Sequence, residues 1–203
     1  MKTVRIYGTA PNLALTPPPS PGVEVWIANW HRGYNQRLSR IIDKNEWTRY
    51  FNLHSRHHMD TTYPSGVEWY KSHDGSRPIY FQRHQPDIPG STVFPRADIE
   101  AFFPEAISRT GKFYTTCSAC WLIPFAIFDG FERIELWGFA LSDRKPRDAY
   151  LFERPCFFYW VKQARSRGIE VTYQAEIEQL PFEPGDPSTF TGPVYGFETK
   201  PED

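Results

Sequence analysis

No run in this chain reaches the ~18 consecutive apolar residues of a membrane span, and the opening MKTVRIYG lacks the apolar stretch of a secretory signal. Cysteine is scarce: three residues in 203, an odd number, which argues against a disulfide framework and for a reducing compartment. The expectation is a cytoplasmic protein with no membrane partner. Also missing are G-x-G-x-x-G and a Walker loop, so neither a dinucleotide nor a phosphoryl-transfer fingerprint is present. No D-x-D follows a central strand to hold Mg²⁺ at a diphosphate. The expectation is therefore no metal and no cofactor. Glycine is sparse too, with 13 residues, which makes the placement of Gly8 at the end of the first apolar run informative.

Aromatic residues, by contrast, are plentiful: 16 Phe, 11 Tyr and 7 Trp. They fill cores and also make platforms for flat ligands such as bases. An apolar share of 40% supplies one ordinary core, and the length suits one domain. The net charge of −1 hides an asymmetry. Residues 170–203 carry eight acids and one base, whereas residues 1–169 carry 22 bases and 16 acids. A basic body suggests an anionic partner: a nucleotide, a nucleic acid or the acidic tail itself.

Apolar, β-branched runs at 3–7, 23–28, 47–53, 77–81, 133–138 and 169–173 read as strands. Helical patterns lie at 34–43, 64–73, 95–103, 115–131 and 150–168, with Pro124 and Pro155 predicting kinks or late starts. This alternation predicts an α/β chain: a single Rossmann-like domain over 1–173, with a mostly parallel sheet of about six strands and helices on both faces. An extended acidic tail rich in Pro and Gly, 174–203, is expected to pack on the body or be partly disordered.

In such sheets ligands lie beyond the carboxyl ends of the strands. The segments expected there, 8–12, 29–33, 52–58, 82–87 and 138–150, hold five of the six histidines. Gly8 would let a phosphate approach the bare backbone of Thr9, Ala10, Pro11 and Asn12, with a helix N-terminus behind. Gly8→Val is expected to abolish nucleotide binding in a chain that still folds. His54, His57, His58 and Asp60 have metal-ligand chemistry, but a base or phosphate contact at His54 is the better expectation, since an imidazole titrates near neutrality. Cys117 and Cys120 form a C-x-x-C in an apolar helix and read as core residues, and Cys156 alone does not complete a clear zinc set. Thr115, Thr116 and Ser118 at that helix's N-terminus could hold an anion. Arg154 could clamp a phosphate, and Glu153 or Asp148 could serve as a base. Arg154 and His54 are expected to face one pocket with Gly8 and Ser118.

In their order these pieces resemble a known arrangement. VRIYGTAPNL is similar to the opening strand and loop of bacterial lipooligosaccharide sialyltransferases and of motility accessory factors. VEVWIANW resembles their second strand, and YTTCSACWLIPFAIFDGFERIELWGF their T-S-G-like turn and helix. The blocks FNLH, PDIPGS, FP and YLFERP resemble a set of uncharacterised phage-encoded Rossmann-like proteins of the same plan. The resemblance covers about residues 3–173. It implies that Gly8, Thr9 and Ala10 line the nucleotide phosphates. It further implies that Asn29 and Asn52 contact base or ribose, that Ser118 caps a phosphate, and that Tyr150 touches the leaving phosphate, while Gly138 is among the expected nucleotide-binding residues. Ala10 stands where the sialyltransferase loop has its second glycine, Asn12 where serine is usual, and the lid carrying their catalytic histidine has no counterpart between Gly138 and Tyr150.

The expected function is transfer from a nucleotide-sugar donor by a metal-independent glycosyltransferase. His54 is the first choice of base and Glu153 the second. The acceptor is open, a hydroxymethylated DNA pyrimidine being one choice. A pyrophosphokinase-like enzyme and a non-catalytic nucleotide-binding or host-inhibiting phage protein remain alternatives.

Overall fold

A computed structural model of the chain describes residues 1–9, 18, 20–29, 36–44, 46–139, 141, 149–174 and 183–197, without the side chains of 36–38 and 149–152. The run TVRIY forms β1 (Thr3–Tyr7), buried along its whole length, as a central parallel strand must be. β2 (Glu24–Ala28) pairs with one side of β1, and β3 (Arg49–Phe51), β4 (Ile79–Phe81) and β5 (Ser91–Val93) follow outward. On the other side of β1 lie β6 (Arg133–Trp137) and then β7 (Glu170–Tyr173). The order is β5-β4-β3-β2-β1-β6-β7, with every pairing parallel. The chain steps away from β1 and later returns to its other flank. The topological switch point therefore lies between the ends of β1 and β6, at Gly8 and Gly138.

Six α-helices connect the described strands: α1 (Gln36–Asp43), α2 (Arg56–Thr62), α3 (Pro64–Lys71), α4 (Arg96–Phe102), α5 (Ser118–Phe128) and α6 (Ala149–Ser166). The two-residue period of β2 sorts them onto two faces. Val25 and Ile27 pack with Ile41 and Ile42 of α1, Met59 of α2, and Val67 and Tyr70 of α3. Trp26 and Ala28 face the other way, into a cluster with Ile99 of α4 and the apolar surfaces of α5 and α6. The α/β architecture with helices on both faces is as the sequence predicts.

The strand count is seven rather than about six. β5 is a three-residue edge strand, STV, too short and too polar to show a period. Nor do the internal prolines begin helices. Both α5 and α6 run through theirs, Pro124 and Pro155.

α5 fixes the site. Nine of its eleven residues are buried, so the helix is held from all sides. Each large apolar side chain removed from water stabilises the fold by about 1.5–3 kcal/mol. Its N-terminus, with Ser118, is thereby set at the carboxyl edge of the sheet. Residues 183–197 lie on this region. Phe190 and Val194 join the core cluster, and Lys112 Nζ donates to the carbonyls of Thr191 (2.7 Å) and Gly192 (3.0 Å). Tyr195 N donates to Thr115 O at 3.1 Å, and Trp121 Nε1 to Tyr195 O at 2.9 Å. No helix among the described residues is long and apolar enough to cross a membrane.

Candidate functional site

Past β2, Asn29 takes a left-handed backbone (φ 49°), the one non-glycine residue with positive φ among those described. Asparagine tolerates this region better than most side chains, and such strain concentrates at functional sites. The turn aims its amide at α5: Nδ2 donates to Ser118 Oγ at 2.6 Å and to Tyr195 Oη at 2.7 Å. Ser118 Oγ donates to Tyr195 Oη at 3.3 Å, and Tyr195 Oη lies 3.3 Å from His54 Nε2. Asn29 Oδ1 is buried and has no hydrogen-bond partner among the described residues. A buried acceptor left unpaired is costly, so a ligand N–H or O–H would complete it.

Past β3, Asn52 is fully buried. Its Oδ1 accepts from His54 N at 3.2 Å, and its Nδ2 donates to Tyr70 Oη at 2.8 Å. Asn52 thus positions His54 from below, and the expected base or ribose contact gives way to an internal one. Ser55 caps α2 by accepting from His58 N at 3.2 Å, which brings the His58 ring to 4.7 Å from that of His54.

The electrostatics separate the two expected bases. Burial, with the neighbouring His58, lowers the His54 pKa to about 4, so the ring is neutral at pH 7. The expectation of titration near neutrality is corrected: an imidazolium would lose its solvation here without gaining a carboxylate. Glu153, in the second turn of α6, moves the other way. Burial raises its carboxyl to about 7. Its charge reaches the cluster, because it helps raise both Tyr195 and Cys117 above their ordinary values. Tyr195 is raised chiefly by burial and remains a phenol.

Three of the expected residues therefore gather around Tyr195, namely Asn29, His54 and Ser118, and the charge of Glu153 is felt there. The others lie elsewhere or carry different contacts. Gly8 donates its N–H to Trp137 O at 2.8 Å, and a Cβ there would collide with the Gly138 carbonyl and the Phe139 ring. Its glycine is demanded by the neighbouring strand end, so the expectation that Gly8→Val leaves the fold intact is overturned by packing. Thr9 is half-buried beside it. Gly138 has φ 72° and donates to Gln174 Oε1 at 2.9 Å. Arg154 gives Nε (3.1 Å) and Nη2 (2.6 Å) to the carbonyl of Leu141, so it braces the segment after β6. These bonds of Arg154 and Gly8 thus serve the ends of β1 and β6. Ala10, Pro11, Asn12 and Asp148 lie outside the described residues, as does the Tyr150 side chain in the first turn of α6.

Thr116 Oγ1 lies 3.7 Å from Cys120 Sγ, and Thr115 is buried, its Oγ1 without a hydrogen-bond partner among the described residues. Cys117 and Cys120 approach to 3.3 Å between sulfurs, and Cys156 Sγ donates to Tyr114 O at 3.3 Å. Cys120 and Cys156 are fully buried, in keeping with core roles. His57 is exposed and Asp60 is paired with Arg56 at 2.9 Å. Among the described residues no three His, Cys, Asp or Glu side chains come together as a metal set would.

Tyr195 is the residue that sequence reasoning missed. Its signal was the aromatic and glycine pattern of VYGF inside an otherwise polar tail. Gly196 (φ 75°) packs against the Leu53 carbonyl, close enough that only glycine fits, which turns the segment over the end of β3. Comparison with protein-family models, with curated proteins and with solved structures returns no match to this chain. The resemblance to the sialyltransferase plan accordingly rests on the sequence blocks themselves.

Proposed function

We propose that this chain transfers a sugar from a nucleotide-sugar donor to an acceptor hydroxyl in the cytoplasm. The observation that carries the reading is the convergence of Asn29, Ser118 and His54 at the carboxyl edge of a parallel sheet, with Glu153, poised at about 7, near enough for its charge to raise Tyr195. That edge is where such sheets receive nucleotides. A carboxyl near the working pH is the useful kind of general base.

In this mechanism Glu153 takes the proton of the acceptor hydroxyl as its oxygen attacks the anomeric carbon. The bond from that carbon to the nucleotide phosphate breaks, and the electron pair leaves on the phosphate oxygen. The first-turn N–H groups of α5, that of Ser118 among them, which the N-cap residue Cys117 does not cap with its side chain, are the donors for that oxygen. Asn29 Oδ1 would accept from the nucleotide or sugar. The basic character of residues 1–169 suits an anionic acceptor, and a hydroxymethylated pyrimidine of DNA is the one we favour.

Thermal-shift measurements against nucleoside mono- and diphosphates and their sugar conjugates test this, because a ligand of the folded state raises the midpoint. A shift with a nucleotide sugar is expected, reduced in Ser118→Ala because the Asn29 amide loses its Oγ acceptor. No shift with any of them would remove the basis of the proposal.

A further inference from the structure

We propose that Tyr195, supplied by the C-terminal segment, is a positioning residue that holds His54 as its Nδ1–H tautomer, making the ring a neutral hydrogen-bond donor rather than a base. The proton count leads there. Asn29 Nδ2 has two hydrogens, and they go to Ser118 Oγ and Tyr195 Oη. Ser118 Oγ, already an acceptor, passes its own hydrogen to Tyr195 Oη. The phenol oxygen is then an acceptor twice over, and its single hydrogen has His54 Nε2 as its remaining neighbour.

Reversing the last two bonds fails. If His54 Nε2–H donated to Tyr195, the phenol hydrogen would turn to Ser118. The serine hydrogen would then have no acceptor among the described residues. Only the first direction gives every hydrogen of the cluster an acceptor among the described residues. A neutral imidazole that accepts at Nε2 carries its hydrogen at Nδ1. Within the described residues His54 Nδ1 makes no hydrogen bond, so that donor is free for a ligand oxygen. The 3.3 Å separation of Tyr195 Oη and Nε2 is long, as catalytic hydrogen bonds often are before the ligand tightens them.

Tyr195 is built to hold this position. Its N–H and C=O are both bonded, to Thr115 O and Trp121 Nε1, on either side of the inserted phenol. Asn52 fixes the His54 backbone from the opposite direction. The catalytic meaning rests on the glycosyl-transfer proposal: His54 would donate to an oxygen gaining charge, and proton removal would fall to Glu153. The tautomer itself is independent of that proposal.

The test is the two-bond ¹H–¹⁵N spectrum of the histidine rings in the full, ligand-free chain at pH 7, with His54 assigned by its loss in His54→Gln. The expected pattern has Nε2 as the unprotonated nitrogen and Nδ1 as the protonated one. In Tyr195→Phe the phenyl ring remains but the donor is gone, and the pattern should shift toward Nε2–H. Ser118→Ala should leave Nδ1–H in place, since the Tyr195-to-His54 bond survives. An Nε2–H ring in the unmodified chain overturns the proposal whether or not Tyr195→Phe folds. So does an unchanged pattern in a folded Tyr195→Phe, or a switch in Ser118→Ala. Failure to find a sugar donor leaves these spectra unaffected, so the two proposals fail separately.

Discussion

Asn29 Nδ2 donates to Tyr195 Oη at 2.7 Å, joining the end of the second strand to a segment 166 residues later in the chain. That bond closes the candidate site with the chain's own tail. Gly196 is the hinge that permits it, since a Cβ would meet the Leu53 carbonyl and its φ of 75° disfavours any side chain. Gly196→Ala should therefore cost about 2–4 kcal/mol by adding backbone strain to overpacking. It should also loosen the bond from Trp121 Nε1. Denaturant unfolding followed by tryptophan fluorescence checks both; unchanged stability with an unshifted spectrum would contradict the hinge.

Gly8 makes a similar demand at the switch point. Its neighbour is the Gly138 main-chain oxygen, which cannot rotate away like a side chain. Gly8→Ala should destabilise the fold by about 1–3 kcal/mol with no nucleotide present, and Gly8→Val by more. A ligand-free denaturation midpoint equal to that of the unmodified protein would show that the β1 and β6 ends are not packed as described.

Much of the fold was legible because its central strands are rich in apolar and β-branched residues, either nearly continuous as in EVWIA or alternating as in RIELW. β5 was not, because three residues at an edge carry no period. The site was half legible. Asn29, His54, Ser118 and Glu153 follow strands or open helices, so topology alone sends them to one edge. Tyr195 could not be placed that way, since no local pattern says where a Pro- and Gly-rich tail docks. The order of His54 and Glu153 as bases was also hidden. It depends on burial, which lowers the one and raises the other.

Those two shifts predict opposite pH slopes of stability. Glu153 binds its proton more tightly folded than unfolded, so between its ordinary 4.5 and about 7 the folded state carries the extra proton. Its contribution to stability therefore falls as pH rises through that window and is flat above it. Glu153→Gln should be the more stable protein at pH 8, by about 1–2 kcal/mol after discounting for partial exposure, with the advantage vanishing near pH 4. His54 binds its proton less tightly folded, so its contribution to stability falls as pH drops from 6.5 toward about 4. His54→Gln should flatten that acid limb. Thermal midpoints of the three proteins from pH 4 to pH 8 decide; slopes of the reverse sign would contradict the burial of either group.

The cysteines should be inert. Burial raises Cys120, and hydrogen bonding to Cys120 together with burial raises Cys117, so little thiolate is present at pH 8. Cys120 and Cys156 should resist iodoacetamide in the folded chain and react on unfolding. Mass spectrometry of the labelled peptides reads this, and rapid labelling of native Cys120 would mean that α5 opens readily at its N-terminus.

The central claim is that Glu153 removes a proton during transfer. The direct measurement is the pH profile of nucleotide release from the sugar donor, in the unmodified protein and in Glu153→Gln. The rate should rise with pH to a plateau through about 7, where the carboxyl loses its proton. In Glu153→Gln it should be at least about 100-fold lower across the range, with donor affinity retained. A variant that turns over at the original rate, or keeps the same rise, would contradict the account.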